Sequence, residues 1–511
     1  MVLVRRAIVS VADKEGILEF ARGLAALGIE IRASDGTAKY LEENGIKAGT
    51  ISDFTGQKEI LGGRVKTLHP KIFASILATR RQEPELKDIG WETTDMVVVD
   101  LYPFEKTISR QGATYEDAME NVDIGGVSLI RAAAKNADRV AVLIAKEQYP
   151  TVLDEMKRNA GRLSDETLKN LAIAAFEYTS GYDTAIFNYL WRKRGDSIPP
   201  ALRLAYPMGS GLRYGENPYQ KAAFYRDARP SKLSVAGCEL LHGKPLSFNN
   251  IVDLDAALRA ASEFEETSAV IIKHTNPCGF AIGNTLREAY LAARESDKIS
   301  AYGCVVGLNR TVDADTARAM KPHFIEGIMA PDYAGDALTL LKTKKDIRLM
   351  RTGEPFRQSN ELQMMKVSGG MLVQTSDFPE IKPGEFKLVT KVKPSEDQIR
   401  DMVFGIKVSR HVKSNSIVLA KGLKTVGIGA GQMSRVDACH IAVYKAGPKA
   451  KGSVLASDAF FPFRDGIDTA AEAEVAAIIQ PGGSIRDAEV IAADDEHGMS
   501  MMFCGIRTFK H

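Results

Sequence analysis

The feature that most constrains the fold is an alternation of short apolar runs with amphipathic segments in the first part of the chain. The apolar runs are rich in β-branched residues, which is typical of buried strands. The segments between them carry apolar residues at helical spacing. Strands that alternate with helices form a mainly parallel sheet with helices on its faces, so we expect an α/β fold. The strands are predicted at residues 6–10, 29–33, 97–101 and 140–145.

The second part of the chain is organised around residues 269–279, which read A-V-I-I-K-H-T-N-P-C-G. The apolar run predicts a strand buried on both faces, and Asn276-Pro277 predicts that the strand ends there in a turn. Lys273 and His274 would then lie at the carboxyl end of a strand. In open α/β sheets this is the edge where ligand crevices form.

The length of the chain and two local patterns predict its domain organisation. At 511 residues it is too long for one ordinary core. A long helical segment followed by I-P-P and P-M-G-S-G predicts a boundary near residue 200, which gives domains at 1–200 and 201–511. Within the second domain, a helix at 396–408 and a strand at 417–420 indicate an internal pseudo-repeat.

Composition argues against several kinds of partner. Lys and Arg number 67 and Asp and Glu 65, giving a net charge of +2 without a basic tail, so we expect no nucleic-acid partner. No run of about 20 apolar residues could span a bilayer. The first residues lead into a strand without a cleavable leader pattern, so we expect a cytoplasmic protein. The five cysteines never form C-x-x-C, which predicts neither disulfides nor a zinc cluster.

Two loops in the first part suit a phosphorylated ligand. Residues 62–70 read G-G-R-V-K-T-L-H-P. Glycines let backbone N–H groups approach a phosphate, while Arg offers a fork of donors and Lys a point charge. Ser34, Gly36 and Thr37 are predicted to form a second, hydroxyl-rich loop between a strand and a helix. Together the two loops predict an anion site.

Tyr102, Asp123 and Lys135 add a phenol, a carboxylate and an ammonium that we expect beside the same crevice. Taken singly, each is more often a rim aromatic or a solvated charge. Their occurrence together with the two anion-binding loops favours a site for proton transfer.

Motifs in a fixed order cover nearly the whole chain. The first part contains V-S-V-A-D-K-E-G-I, G-G-R-V-K-T-L-H-P, L-Y-P-F and D-I-G-G-V-S-L-I-R-A-A-A-K-N. The second contains R-Y-G-E-N-P-Y-Q, K-H-T-N-P-C-G, H-V-K-S-N-S, G-A-G-Q-M-S-R, S-D-A-F-F-P-F-R-D and Q-P-G-G-S-I-R-D. In these motifs the chain resembles the bifunctional AICAR transformylase/IMP cyclohydrolase family of purine biosynthesis.

For residues 1–200 the resemblance implies a methylglyoxal-synthase-like domain that closes the ring of formyl-AICAR to give IMP. Lys66 would stabilise the oxyanion formed when the carboxamide nitrogen attacks the formyl group. Tyr102, Asp123 and Lys135 would transfer protons. The residues implied in holding the nucleotide are Lys14, Ser34, Gly36, Thr37, Arg64 and Thr67.

For residues 201–511 the resemblance implies a cytidine-deaminase-like transformylase domain of two subdomains, with 10-formyltetrahydrofolate as co-substrate and no catalytic metal. His274 would be the base, Lys273 would stabilise the oxyanion or assist the leaving nitrogen, and Asn415 would orient the formyl oxygen. A homodimer is also implied, because pockets in the family are completed across subunits. The residues expected around AICAR are Arg213, Tyr214, Asn249, Arg435 and Arg507, with Asn250 as an alternative to Asn249.

The chain departs from the family pattern at several positions. Asp100 has the clearest expected consequence, because a carboxylate only accepts hydrogen bonds and its charge beside Tyr102 would raise the pKa of neighbouring groups. A transformylase with impaired cyclohydrolase is therefore one alternative. The departures are Ala12, Asp35, Phe73, Asp100 and Tyr219.

Three other patterns in the chain suggest different functions. Gly427, Gly429 and Gly431 resemble a dinucleotide-binding loop, but the third glycine comes one position too early for G-x-G-x-x-G. Pro277-Cys278 resembles the deaminase zinc motif P-C-x-x-C, but residue 281 is Ala. A non-catalytic nucleotide sensor would keep binding residues, whereas this chain also retains the residues implied in catalysis.

Overall fold

The computed structural model describes residues 1–227, 230–358 and 361–511. By their internal contacts these residues divide into two compact units, Met1–Ala205 and Tyr206–His511. Among the described residues, no helix is both long enough and apolar enough to cross a membrane.

A parallel sheet forms the centre of the first unit. Its strand order is β4-β3-β2-β5-β6, and every neighbouring pair in it is parallel, which confirms the predicted α/β fold. β1 and β7 form a separate antiparallel pair. The strands of this unit are β1 (Val2–Leu3), β2 (Arg6–Ser10), β3 (Glu30–Ala33), β4 (Gly49–Thr50), β5 (Met96–Val99), β6 (Ala141–Leu143) and β7 (Arg162–Leu163).

Helices cover this sheet because each carries an apolar stripe. In α1, for example, Ile17, Phe20, Ala21 and Leu24 lie on one face and are buried. The helices of this unit are α1 (Ile17–Ala26), α2 (Asp35–Glu43), α3 (Ile51–Thr55), α4 (Pro70–Leu77), α5 (Glu83–Asp88), α6 (Phe104–Ile108), α7 (Tyr115–Glu120), α8 (Gly125–Lys135), α9 (Gln148–Arg158) and α10 (Asp165–Lys193).

The predicted loop at Ser34, Gly36 and Thr37 is wrong in one respect. α2 begins at Asp35, so Gly36 and Thr37 lie in its first turn and Ser34 is the residue that precedes it. Short polar residues and glycine are common both in loops and at helix N-termini, so the pattern did not separate the two.

The strands of the second unit form two six-stranded sheets and two separate two-stranded hairpins, β8-β9 and β16-β17. They are β8 (Met208–Leu212), β9 (Ala222–Tyr225), β10 (Glu239–His242), β11 (Ser268–Lys273), β12 (Asn276–Ile282), β13 (Cys304–Leu308), β14 (Ile325–Ala330), β15 (Arg348–Arg351), β16 (Gln363–Val367), β17 (Gly370–Gln374), β18 (Lys387–Leu388), β19 (Ile417–Ala420), β20 (Thr425–Gly429), β21 (Val454–Ser457), β22 (Ala477–Gln480) and β23 (Ser500–Phe503). The helices are α11 (Phe248–Ala261), α12 (Leu286–Arg294), α13 (Ala314–Met320), α14 (Gly335–Lys342), α15 (Glu396–Ser409), α16 (Arg435–Ala446), α17 (Asp465–Glu472) and α18 (Asp487–Glu496).

Two six-stranded mixed sheets in this unit share one topology. The first has the order β10-β15-β14-β13-β11-β12 and the second β18-β23-β22-β21-β19-β20. Corresponding neighbours are parallel or antiparallel in the same way, and helices occur at the same points along the chain. The predicted pseudo-repeat is therefore confirmed.

The glycines at 427 and 429 serve this packing and do not form a nucleotide loop. A Cβ on Gly427 would lie 2.1 Å from the carbonyl oxygen of Ala442, and one on Gly429 would lie 1.9 Å from that of Ala438. A Cβ on Gly279 of β12 would likewise lie 1.9 Å from the carbonyl oxygen of Ala293 in α12. Glycine thus allows a helix to lie directly on the edge hairpin of each sheet.

The expected turn at Asn276-Pro277 is wrong. β11 ends at Lys273, a two-residue turn follows at His274 and Thr275, and Asn276 already pairs with Lys273 as the first residue of β12. Pro277 is tolerated because β12 lies at the edge of its sheet, where one side of the strand needs no backbone donor.

Candidate active sites

A cavity of about 340 Å³ opens at the carboxyl edge of the parallel sheet in the first unit. Residues that follow β2, β3 and β5 line it, as expected for a ligand crevice in an open α/β sheet. The lining includes many residues that the sequence had marked: Lys14, Ser34, Gly36, Thr37, Lys66, Thr67, Tyr102 and Asp123.

One wall of the cavity is a cluster of hydroxyls around an ammonium. Lys14 Nζ donates to Thr37 Oγ1 at 2.9 Å and to the carbonyl oxygen of Val11, and Ser34 Oγ donates to Thr37 Oγ1 at 3.2 Å. Burial lowers the pKa of Lys14, while the charge of Asp100 opposes that change. The first turn of α2 presents backbone N–H groups here, so this wall suits a phosphate.

Thr67 brings an unused hydroxyl to the same cavity. Its side chain is buried, and its Oγ1 has no hydrogen-bond partner in the described part of the chain. A Cβ on Gly125 would lie 2.6 Å from that oxygen, so the glycine keeps the space in front of it open. A buried polar atom without a partner is costly, and a bound ligand would supply the missing hydrogen bond.

Lys66, Tyr102 and Asp123 form the opposite side. Lys66 Nζ donates to the Tyr102 hydroxyl at 3.2 Å. Asp123 Oδ1 accepts from the backbone N–H of Gly126 at 2.7 Å, at the start of α8, and Oδ2 accepts from that of Tyr102 at 3.4 Å. A cation, a phenol and a carboxylate therefore adjoin one another beside the phosphate-binding wall.

The carboxylate of Asp100 accepts hydrogen bonds from two backbone N–H groups. Its two oxygens accept from the N–H groups of Ala12 and Asp13, the latter at 2.7 Å. Burial raises the pKa of Asp100, and these donors oppose the rise. Because both neighbours are donors, an acceptor-only side chain fits this position. Burial and then the Asp100 charge raise the pKa of Tyr149, so the expected effect of the charge does reach a neighbouring phenol.

Two of the predicted residues do not line the cavity. Lys135 is exposed and ends α8, whereas Gly126 near the start of that helix lines the cavity. With a rise of 1.5 Å per residue, the two ends of α8 are about 15 Å apart. Arg64 is exposed and forms an ion pair with Glu120 of α7. Lys135 therefore does not line the cavity, and its part in proton transfer stays a prediction.

Several lining residues were missed. Ser10, Val11, Glu59 and Val99 line the cavity in addition to Asp100. Ser10 could have been found, since it is the last residue of β2 and so lies at the carboxyl edge of the sheet. Nothing in the sequence pattern marked Glu59.

Of the other departures, Ala12 lines the cavity, whereas Asp35, Phe73 and Tyr219 do not. Asp35 accepts from Ser52 Oγ at 3.2 Å, Phe73 packs against the hydrophobic core of the first unit, and Tyr219 is 85% exposed in the second. Their contacts give none of them a place beside the predicted catalytic groups.

In the second unit, the turn after β11 carries the predicted catalytic pair. Lys273 Nζ donates to the carbonyl oxygens of Tyr302 and Gly303, at 3.1 and 2.8 Å. His274 is exposed, and both His274 and Thr275 have positive φ, 51° and 66°. Because β11 runs antiparallel to β13, Lys273 lies at the amino end of β13. The pair does lie at the carboxyl end of β11, as predicted, but this end is opposite to the carboxyl edge of the parallel strands β13, β14 and β15, so the rule for ligand crevices does not apply to it.

Two hydrogen bonds fix the orientation of the Asn415 side-chain amide. Arg435 Nη2 donates to Asn415 Oδ1 at 2.7 Å, and Asn415 Nδ2 donates to the carbonyl oxygen of Gln432 at 2.9 Å. Arg435 is itself buried and ion-paired with the fully buried Asp458. In this structure Arg435 therefore orients Asn415 through a direct hydrogen bond.

Backbone hydrogen bonds bring the second-unit motifs together. Asn276 Oδ1 accepts from the N–H of Lys413 at 2.9 Å, which joins the catalytic turn to the segment carrying Asn415. Ser414 N–H in turn donates to the carbonyl oxygen of Lys510 at 2.8 Å, which brings in the C-terminal segment. Three motifs far apart in sequence thus meet at one place.

The remaining predicted ligands lie around α11 and the C-terminal segment, where Arg213, Asn249 and Arg507 are exposed and Tyr214 is half-buried. Arg213 Nη2 donates to the Tyr214 hydroxyl at 2.8 Å, and Arg507 lies over the ring of Phe509 at 4.6 Å. Neither guanidinium has a carboxylate partner within the described residues. Asn250 is buried and caps α11 with Ser247, so of the two candidate amides the exposed Asn249 is the one available to a ligand.

Within the ranges that the structure describes, no group of three or more His, Cys, Asp or Glu side chains could hold a metal ion. Cys278 is half-buried, and burial raises the pKa of its thiol.

Comparison with known proteins covers both units. A family model described as AICARFT/IMPCHase bienzyme matches residues 133–445, and one described as an MGS-like domain matches residues 16–128. The bifunctional purine biosynthesis protein PurH of Thermoanaerobacter sp. (strain X514) is 48% identical over 513 residues and covers 100% of both chains. PurH of Bacillus cereus (strain AH820) is 46% identical over 510 residues, covering 99% of this chain and 100% of its own.

A solved structure titled "Crystal structure of ForH" is 32% identical and covers 36% of this chain and 94% of its own. Its TM-score is 0.34, which is too low to support a statement about a shared fold.

Proposed function

The chain belongs to the AICARFT/IMPCHase bienzyme family, and we propose that its two reactions, AICAR formyl transfer and closure of formyl-AICAR to IMP, run at two separate sites. One site is the Lys66 cavity in the first unit, and the other is the Lys273-His274 turn in the second. The observation that carries this proposal is that each set of chemically suited residues gathers within a single compact unit.

Formyl transfer needs a base, an oxyanion donor and a group that orients the formyl oxygen. His274 removes the proton from the attacking amine of AICAR, which is a weak nucleophile because of its adjacent carboxamide. Lys273 stabilises the oxyanion and Asn415 orients the formyl oxygen. The C–N bond to the donor nitrogen then breaks, and the amine's proton ends on that nitrogen. General-base help is typically worth about 10²–10⁴-fold.

Ring closure uses the Lys66 side of the cavity. The carboxamide nitrogen attacks the formyl carbon, and Lys66 stabilises the oxyanion that forms. Proton transfer through Tyr102 and Asp123 converts that oxygen to a leaving water. The hydroxyl-rich wall of Lys14, Ser34, Gly36, Thr37 and Thr67 holds the phosphate, and Arg64 would add a guanidinium once it leaves its ion pair with Glu120. Lys135 ends α8 and does not line the cavity, and a part for its ammonium in the same proton transfer belongs to this proposal.

The formyl donor is 10-formyltetrahydrofolate, a co-substrate, and the mechanism uses no metal. Arg213 and Arg507 suit the phosphate of AICAR because their guanidinium groups are exposed and carry no carboxylate partner among the described residues. Tyr214 and Asn249 would contact the ribose or ring. A homodimer that completes this site, and a cytoplasmic location, belong to the same proposal.

Turnover decides between this enzyme and a nucleotide sensor. The purified chain is mixed with AICAR and 10-formyltetrahydrofolate, and tetrahydrofolate and IMP are followed by absorbance and chromatography. We expect both products to accumulate together. Binding of AICAR without either product would favour the sensor, and accumulation of formyl-AICAR without IMP would favour a chain with an impaired cyclohydrolase.

The assignment of the two sites is tested with His274→Ala. This variant should lose formyl transfer while it still converts supplied formyl-AICAR to IMP. Loss of both activities in a folded variant, or of neither, would contradict the two-site assignment.

A further inference from the structure

In each of the two repeats, an aspartate at an equivalent position accepts hydrogen bonds from the turn of the edge hairpin. Asp253 in α11 and Asp401 in α15 occupy the same position counted from the first residue of each helix. Asp253 Oδ1 accepts from the backbone N–H of Thr275 at 2.7 Å. Asp401 Oδ1 accepts from that of Leu423 at 2.7 Å, and Oδ2 from that of Gly422 at 2.9 Å. In both repeats an aspartate fixes the two-residue turn.

The residues held in this way differ between the repeats. His274 and Thr275 occupy the first turn, with φ of 51° and 66°, and Gly422 and Leu423 occupy the second, with φ of 64° and 55°. Glycine adopts positive φ at little cost, whereas a β-branched residue such as Thr275 does so only under strain. The turn that carries His274 therefore depends more on its hydrogen bond to an aspartate than the turn at Gly422 and Leu423 does.

Asp253 is also placed to act on the catalytic pair. Its carboxyl is half-buried beneath the turn. Burial raises the pKa of Asp253, and the Thr275 N–H and the charges of His274 and Lys273 oppose the rise. Asn249, one helical turn earlier on α11, is the exposed amide expected at AICAR. α11 therefore carries both Asn249, which is expected to contact AICAR, and Asp253, which fixes the turn that carries the proposed base.

We propose that Asp253 is a positioning residue for formyl transfer, because its carboxylate fixes the His274-Thr275 turn and so sets where the His274 imidazole lies relative to AICAR. This inference rests on the proposed role of His274 as the base. Without the carboxylate, the strained turn relaxes and the imidazole moves, although AICAR still binds.

The test compares Asp253→Ala and Asp253→Asn with the matched control Asp401→Ala. For each chain, kcat and the KM for AICAR are measured in formyl transfer, and cyclisation of formyl-AICAR serves as a check on the first unit. Asp253→Ala should lower kcat by about 10²-fold, the cost of a small displacement of a catalytic group, with little change in KM. Asp253→Asn keeps one acceptor oxygen and should lose less.

Asp401→Ala removes the same hold from the second repeat and should leave kcat unchanged, although it lowers the unfolding temperature. The inference is overturned if Asp253→Ala keeps the kcat of the unaltered chain, if only KM changes, or if Asp401→Ala lowers kcat equally. Should Asp253→Ala fail to fold, Asp253→Asn decides by the same criteria. An unaltered chain without formyl transfer would instead refute the proposed function.

Discussion

Lys273 and Lys421 occupy equivalent places in the two repeats, and each ammonium donates to backbone carbonyl oxygens that precede the neighbouring strand. Lys273 Nζ donates to Tyr302 and Gly303 at 3.1 and 2.8 Å, and Lys421 Nζ donates to Lys451 at 2.9 Å. The second repeat has glycine where the first has His274. The lysine contact is therefore a property of the repeat, and the imidazole is what distinguishes the proposed catalytic copy.

This pair supplies a matched test of Lys273. Lys273→Met should reduce formyl transfer by about 10²–10³-fold, the usual cost of removing an oxyanion donor. The variant should still cyclise formyl-AICAR. Lys421→Met removes the same kind of carbonyl contact without touching the proposed site, so it should keep formyl transfer. Equal losses of formyl transfer in both variants would show that the lysine matters only for folding.

The sequence predicted the apolar run of β11 but not the hairpin that it begins. Two-residue turns of this kind usually carry Asn-Gly or Asp-Gly, because both positions need positive φ. His274-Thr275 gives no such signal, and the following Pro277 indicated a break. The turn is nevertheless held from outside by Asp253, which is distant in sequence. Local propensity could not reveal that contact.

The α/β class, the family and the pseudo-repeat were predicted from periodicity and ordered motifs and are confirmed. Strand ends also located most of the cavity, since residues after parallel strands share one edge. Lys135 is close in sequence to Asp123 but does not line the cavity, because α8 separates the two residues. The assignment of the second unit as cytidine-deaminase-like stays a prediction.

Thr275 offers a test of strain at the proposed site. A β-branched residue at φ 66° costs of the order of 1–3 kcal/mol, and its Oγ1 is buried without a partner among the described residues. Thr275→Gly relieves this strain and keeps the backbone N–H that donates a hydrogen bond to Asp253. We therefore expect the free energy of unfolding to rise by about 1 kcal/mol. Urea denaturation measures this change.

Thr275→Val is the control for that experiment, because it removes the hydroxyl but keeps the branched side chain at positive φ. It should stabilise the protein less than Thr275→Gly does. A lower unfolding midpoint for Thr275→Gly than for the unaltered chain would contradict the assignment of strain to this turn. Formyl transfer should fall in Thr275→Gly, since a glycine loosens the turn that carries His274.

The cyclohydrolase site is tested at Lys66 and Tyr102, whose side chains are hydrogen-bonded at 3.2 Å. Lys66→Met should lower cyclisation of formyl-AICAR by about 10²–10³-fold because the oxyanion loses its donor. Tyr102→Phe should have a smaller effect. Lys71→Met is the control, since Lys71 lies over the ring of Phe54 and is absent from the cavity lining. Formyl transfer should be unchanged in all three variants, and its loss in Lys66→Met would refute separate sites.

Asp494 in α18 predicts a pH dependence of stability. The residue is fully buried, and within the described chain neither carboxylate oxygen has a hydrogen-bond partner. Burial, followed by the charge of Asp495, raises its pKa to about 7. The folded state therefore binds this proton more tightly than the unfolded chain does, whose Asp pKa is about 3.9. The stabilisation is present below about pH 4 and is lost as pH rises towards 7.

Asp494→Asn removes that titration while keeping the shape of the side chain. A shift of about three pKa units corresponds to at most about 4 kcal/mol. The variant should therefore be more stable than the unaltered chain at pH 8, with a much smaller difference at pH 5. Urea midpoints of both proteins at the two pH values measure the effect. A stability difference that is the same at pH 5 and pH 8 would show that Asp494 is not protonated in the folded state, because only a titrating group makes the difference depend on pH.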